Sequence, residues 1–340
     1  YQNTGIPVIV FNPLNWKRKD VVAVEIPENY TQDMGIYDGN EHEIPYQILE
    51  GKLQFSGVEI PACGFKTFYL KRGRNKKMTD RLSISETSLE NSFLNIEINP
   101  KNGNISRIFD KKNKREILES GKEGNVLEAF KDIPEDWDAW NIAYPFEKKC
   151  NIDNVQDISI LYDTPQKVAL RIIRTYSKSK FIQDLVLYNG IPRLDIENRV
   201  DWHEDHVLLK SAFHLNVFND FATYEIPFGI INRPTVAKTS FDSAKFEVSG
   251  HKWIDMTEND STYGVSLLND CKYGFDVKKN RMRITLLKSA KYPDPEADMG
   301  KHYFTYSIYP HEGSWKTGNT YQAAYELNYP LLTKTGDLDH

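Results

Sequence analysis

Between Asn125 and Lys149 the chain reads NVLEAFKDIPEDWDAWNIAYPFEKK, a stretch dense in side chains that can touch a small polar ligand. Trp137, Trp140, Tyr144 and Phe146 lie close to Asp132, Glu135, Asp136 and Asp138. Aromatic faces stack on sugar rings, while carboxylates and Asn accept from or donate to sugar hydroxyls, so this mixture suits carbohydrate contact. The same residues would also serve a loop pinned to a core by its tryptophans. A second cluster, Trp202-His203-Glu204-Asp205-His206, has the residue types of a metal site. On a strand, however, His203 and Asp205 share one face while His206 points to the other, and metal ligands must converge. It reads instead as a polar bend. A third stretch, Lys291-Tyr292-Pro293-Asp294-Pro295-Glu296-Ala297-Asp298, packs two prolines and three acids into eight residues, which no regular element tolerates. A long loop of this chemistry held by rigid strands is a candidate for binding.

The elements around these stretches read as strands. Met282, Ile284, Leu286 and Leu287 alternate after a Lys-Lys-Asn turn that follows Gly274–Val277, and Phe304, Tyr306, Ile308 and Tyr309 resume the sheet beyond the long loop. Strands are expected over 168–175, 181–188 and 194–202, with Asn189-Gly190 as a turn. Asn102-Gly103 is a hairpin turn, since both residues favour positive φ. Short segments separated by Gly, Asp and Pro over residues 1–75 suggest a small β-sandwich. No apolar stripe of period 3.6 persists over three turns, so little helix is expected.

Composition bounds the function. The chain of 340 residues is 40% hydrophobic, 27% charged and 12% aromatic, with a net charge of -5. Its length accommodates two ordinary domains. The negative balance gives no nucleic-acid or anionic-membrane partner, because phosphate binding needs a basic surface. The run Lys71-Arg72-Gly73-Arg74-Asn75-Lys76-Lys77 reads as a solvated linker. No apolar run reaches membrane-spanning length, and residues 1–20 lack the layout of a signal peptide. Cys63, Cys150 and Cys271 are few and scattered, which fits a reducing compartment and makes neither a disulfide framework nor a metal site. Glycosylation-type triplets begin at Asn29, Asn104 and Asn259 but carry little weight without a secretory signal. A cytoplasmic location is the expectation. No GxSxG, phosphate-binding loop or dinucleotide fingerprint is present. A retaining glycosidase needs two carboxyl groups about 5–5.5 Å apart, but with 48 acidic residues a pair can always be found.

Several dispersed motifs carry a resemblance. LLNDCKYGFDV, LLKSAKYPDPEAD and YSIYPH, together with VIVFNPLNWKRKDVVAVEIP, LENSFLNIEINPKNGNISRIFDKKNKREIL and the Pro227-Phe228-Gly229…Arg233-Pro234-Thr235 turn, resemble the C-terminal β-region of glycoside hydrolase family 38, the α-mannosidases of bacterial and cytosolic type. The resemblance implies an all-β chain: a small β-sandwich over 1–80, a large antiparallel supersandwich over 81–312 similar to galactose mutarotase-like folds, and the start of a further β-region over 313–340. It implies a parent enzyme that hydrolyses α-mannosides, with its catalytic residues and its zinc in a domain outside this chain, so no cofactor and no catalytic residue are expected here. It also places the 137–141 loop and Asp270-Cys271-Lys272-Tyr273 on one wall of the substrate pocket. The implied substrate contacts are Trp137, Asp138, Trp140, Asn141, Asp270 and Lys272. The family typically has WDAWD where this chain ends the motif on Asn141. Homo-oligomers occur in the family, though no interface is specified here. A free-standing carbohydrate-binding sandwich is the alternative.

Overall fold

The computed structural model describes residues 5–28, 30–73 and 82–336. Residues 74–77 of the basic run and Asn29 of one glycosylation-type triplet lie outside them. Of the described residues 53% are in strands and 4% in helix, so the chain is all-β as its alternation predicts. No helix among them is long and apolar enough to cross a membrane.

Strands with one apolar face must stack those faces, and they do so around two separate cores. In the first, Val8, Val10, Val22, Val24, Leu53, Phe55, Phe68 and Leu70 fill the space between a five-stranded and a three-stranded sheet. Part of this unit comes from far along the chain: Leu332–Thr335 pairs antiparallel with Ile6–Asn12, and Leu331 joins the core. The second and larger core draws from three sheets at once. A nine-stranded sheet supplies Leu170, Phe181, Leu185, Ile196, Leu267 and Tyr306, and a six-stranded sheet supplies Leu127, Leu209, Phe213, Phe275 and Ile284. The five-stranded sheet of residues 83–116 closes the side with Leu94, Ile96 and Ile108.

Tyr263–Asn269, in the middle of the nine-stranded sheet, is buried at every position. Its outer face is covered by the helix Thr320–Asn328, whose Ala323 and Ala324 pack on Trp253 and Leu268. Residues 313–336, expected to open a further β-region, thus hold this helix and the strand that returns to Ile6–Asn12.

One polar network crosses the larger core. The guanidinium of Arg174, fully buried, donates through Nε to the carbonyl of Asn102 at 3.1 Å and through Nη1 to Gln183 Oε1. Gln183 Nε2 donates to Asn198 Oδ1 (2.8 Å) and to the Tyr306 hydroxyl (3.1 Å), which donates in turn to Asn125 Oδ1. Ser211 of the six-stranded sheet donates to the same Asn125 oxygen at 3.1 Å. Burial lowers the Arg174 pKa to about 10.

Of Asn102-Gly103 only Gly103 takes a positive φ, at 72°, because the hairpin closes through residues 99–104 rather than a two-residue turn, and a Cβ there would lie 2.8 Å from both Arg174 Nη2 and Ile172 Cγ2. Gly121 has the same φ of 72° with nothing within 4 Å. Gly121→Ala is expected to cost about 1 kcal/mol of backbone strain and Gly103→Ala roughly 2–4 kcal/mol. Denaturant midpoints of the two variants check this, and equal losses would show that the turn does not need to sit against Arg174.

Candidate functional site

The register of the sheets gathers the loops singled out in the sequence at one end of the large sandwich. Lys131 pairs with Val207 and Glu147, and Leu208 pairs with Lys288, so residues 132–146, 203–206 and 289–299 leave the six-stranded sheet side by side. In the other sheet Trp202 pairs with Gly300, bringing the same connections to its edge.

Two carboxylates hold the first loop down. Asp132, with its side chain only 1% exposed, accepts from the Ala143 N–H at 2.8 Å and lies 2.8 Å from Lys288 Nζ. Asp138, with its side chain 15% exposed, accepts from the Lys291 N–H and lies 3.3 Å from His206 Nε2 and 3.9 Å from Lys288 Nζ. The Lys288 ammonium also donates to the Asp138 carbonyl. Burial works to raise the Asp138 pKa, but the Lys291 N–H, Lys288 and His206 outweigh it and hold the carboxyl below its ordinary value.

With its two acids turned inward, the turn between them presents its indoles outward. Trp137 takes a left-handed φ of 60°, and its carbonyl accepts from the N–H groups of Trp140 and Asn141, both at 2.8 Å. Asn141 Nδ2 closes the turn by donating to the Asp136 carbonyl at 2.8 Å. Trp137 and Trp140 pack edge to face at 6.2 Å, yet stay 66% and 68% exposed. Tyr292 on the neighbouring loop is exposed to the same degree, 68%. The carboxylates of Glu135 and Asp136 remain exposed beside the indoles.

Asp270 and Lys272 form a second group. The Asp270 N–H donates to the Thr305 carbonyl at 3.1 Å, its Oδ2 accepts from the Thr305 N–H at 2.9 Å, and its exposed carboxylate also meets the Cys271 thiol. Lys272 Nζ sits 4.3 Å over the Phe304 ring. Burial lowers the Lys272 pKa, partly opposed by Cys271, Asp298 and Asp270. Asp298 belongs to the 289–299 loop whose Lys291 binds Asp138, so the two groups flank one loop. Among the described residues no hydrogen bond or ion pair joins them directly.

The His203–His206 cluster spreads over three partners. His203 pairs with Asp201 at 2.9 Å, Asp205 with Lys291, and His206 with Asp138. Among the described residues no three His, Cys, Asp or Glu side chains are placed to hold a metal ion. Sequence reading passed over Lys288, Lys291 and His206 as supports of the tryptophan loop. Lys288 looks like the polar end of an alternating strand, and only the strand pairing brings it beneath Asp132.

Residues 89–296 match the C-terminal domain of glycosyl hydrolases family 38. The chain is 32% identical over 334 residues to alpha-mannosidase 2C1 of Homo sapiens, covering 96% of this chain and 30% of that protein. It is 34% identical over 343 residues to alpha-mannosidase G of Dictyostelium discoideum, covering 94% of this chain and 30% of that protein. The chain therefore spans about 30% of the length of these relatives. The crystal structure of an alpha-mannosidase from Enterococcus faecalis V583 shares the fold, with a TM-score of 0.80 over 99% of this chain and 46% of that one, at 16% identity.

The loop geometry gives two expectations. Lys288→Met leaves two buried carboxylates without their cation and should destabilise the protein by roughly 2–3 kcal/mol. It should also speed hydrogen exchange across residues 132–146, and unchanged exchange would remove Lys288 from its anchoring role. Because the Asp138 pKa is depressed on folding, its stabilisation is complete above the ordinary carboxylate pKa of about 4 and is lost as pH falls through the lower folded value. Acid loosening of the loop should therefore begin below about pH 4, and Asp138→Asn should flatten that part of the stability profile.

Proposed function

Because this chain belongs to glycosyl hydrolase family 38, we propose that it is the C-terminal β-region of a retaining α-mannosidase and forms one wall of that enzyme's sugar pocket. The relatives bearing the name alpha-mannosidase are about three times as long as the part matched here, and catalysis is assigned to the remainder. The zinc of the parent enzyme is assigned there as well, since His203, Asp205 and His206 each face a different partner. The substrate is an α-mannoside within a glycan or oligosaccharide, the setting is the cytoplasm, and assembly as a homo-oligomer is compatible with the reading.

The observation that carries the proposal is the pair of exposed indoles on a turn fixed from below. Two tryptophans left in water contribute little to the stability of the chain that displays them, because a buried aromatic gains its free energy from lost solvent contact. A turn held by Asp132, Asp138 and Lys288 orders them before a ligand arrives, which lowers the entropy cost of binding. In this reading Trp137 and Trp140 stack on the apolar face of a sugar, and Asn141 closes their turn. Asp138 is a positioning residue rather than a contact, because its carboxylate is engaged inward. The exposed Asp270 carboxylate accepts from a sugar hydroxyl, and Lys272, held over Phe304, orients a hydroxyl or a carboxylate of the catalytic domain.

Kinetics on the full-length enzyme test the wall. Trp140→Ala should lower kcat/KM by about tenfold or more while leaving the melting temperature unchanged, since the removed ring is exposed. Asp270→Ala should lower both, because Oδ2 also holds the Thr305 N–H. Normal kinetics in Trp140→Ala would return the tryptophans to a role in folding alone. This chain by itself should not hydrolyse an aryl α-mannoside, and measurable turnover would mean that the catalytic centre lies within it.

A further inference from the structure

An asparagine followed by glycine carries a reaction of its own. The main-chain nitrogen of the glycine, losing its proton, attacks the asparagine Cγ, ammonia leaves, and the cyclic imide opens with water to aspartate or isoaspartate. One water is taken up for each ammonia released, and no other reactant is needed. Glycine favours the step because no Cβ shields its nitrogen. Two demands fall on the fold: the glycine N–H must have no acceptor, and the asparagine amide must be free to swing towards it. This chain has two such steps, Asn102-Gly103 and Asn189-Gly190, each between paired strands.

The first step is locked. Gly103 is buried, and its N–H donates to the Asn99 carbonyl at 2.8 Å. Asn102 Nδ2 donates to Glu123 Oε2 at 2.9 Å, and its Oδ1 accepts from the Asn104 N–H at 3.0 Å. The Asn102 carbonyl accepts from Arg174 Nε at 3.1 Å, so the main chain is held as well. Attack would require the Gly103 bond and both bonds of the Asn102 amide to open together.

The second step is open. Gly190 is exposed, with a φ of 78° and nothing within 4 Å of where a Cβ would stand. Among the described residues no acceptor meets its N–H, and nothing bonds the Asn189 side chain. The flanks are fixed instead. The Asn189 N–H donates to the Gln166 carbonyl at 2.9 Å, and the Tyr188 and Ile191 carbonyls accept from Nδ2 of the buried Asn91 at 3.1 and 3.0 Å. The turn is therefore held without using either of the reacting groups.

We infer that Asn189 is a site of spontaneous deamidation in the folded protein, with the Gly190 nitrogen as nucleophile, and that the fold protects Asn102 from the same reaction. One dipeptide has two fates in one chain. The product brings a negative charge to the turn. Its isoaspartyl form also inserts a methylene into the main chain between the two carbonyls that Asn91 holds.

The test is ageing of this chain at mildly alkaline pH, followed by tryptic mapping. Cleavage after Lys180 and Arg193 places Asn189 on the peptide 181–193. Cleavage after Lys101 and Arg107 places Asn102 on 102–107, where fragment ions separate it from Asn104. In the folded chain the acid forms should build up at Asn189 about tenfold faster or more than at Asn102, the gap being set by the bonds that Asn102 must open. In denaturant the two rates should converge, since only the dipeptide then counts. Gly190→Ala should slow the reaction at Asn189 and leave Asn102 unchanged. The inference is overturned if Asn189 stays intact in the folded chain, if the two sites age at equal rates there, or if Gly190→Ala leaves the Asn189 rate untouched. A gap that persists in denaturant overturns it too, because the flanking sequence rather than the fold would then decide.

Discussion

The Lys288 ammonium, set between Asp132 and Asp138, is the interaction on which the candidate site depends. Removing charges from water costs several kcal/mol per ion, and the attraction between them offsets that only when the remaining lone pairs and protons are filled. Here the Ala143 and Lys291 N–H groups each bond one carboxylate oxygen, and His206 adds a further contact to Asp138. The loop therefore cannot relax without uncovering a buried carboxylate. Its shape follows from that requirement, and the outward position of Trp137 and Trp140 follows from its shape. Three separate segments, 132–143, 206 and 288–291, are tied at this point, so the loop ends of both large sheets are held by a few charge-assisted bonds.

The sandwich beneath supplies the rigidity that this anchoring needs. Arg174, Gln183, Asn198 and Tyr306 lie on four adjacent strands of the nine-stranded sheet, and through Asn125 they reach Ser211 in the facing sheet. A half-satisfied network at this depth would be worse than an apolar core, whereas a connected one selects a single stacking of the sheets. Burial depresses the Arg174 pKa because its guanidinium meets amides and a carbonyl but no carboxylate. The register this network selects brings the loops together at each end.

Much of this was legible in the sequence where causes are local. The alternation over 168–202 foretold three strands that the structure places at Lys167–Tyr176, Ser179–Tyr188 and Leu194–Trp202. The positive φ at Gly103 and the Lys-Lys-Asn return before Met282 follow from φ preferences that a few residues decide, though Asn102 does not share that φ. Pairings between distant segments left no such mark. Nothing in Leu332–Thr335 says that it will complete a sheet begun by Ile6–Asn12, because an edge strand carries the same pattern whichever partner it finds. For the same reason Asp138 looked like a ligand contact beside Trp137. That its carboxylate turns inward depends on Lys288, His206 and Lys291, each remote in the chain.

The strand Gly300–Glu312 links the two ends and limits how they can communicate. It is paired along most of its length, with Leu194–Trp202 from residue 300 to 308 and with Tyr263–Asn269 from residue 306 to 312. Bending it would break ladder bonds on one side or the other anywhere along its length, and on both sides at residues 306–308. Its core-facing positions, Phe304, Tyr306 and Ile308, are packed in the larger core, which transmits displacement only by repacking as a whole.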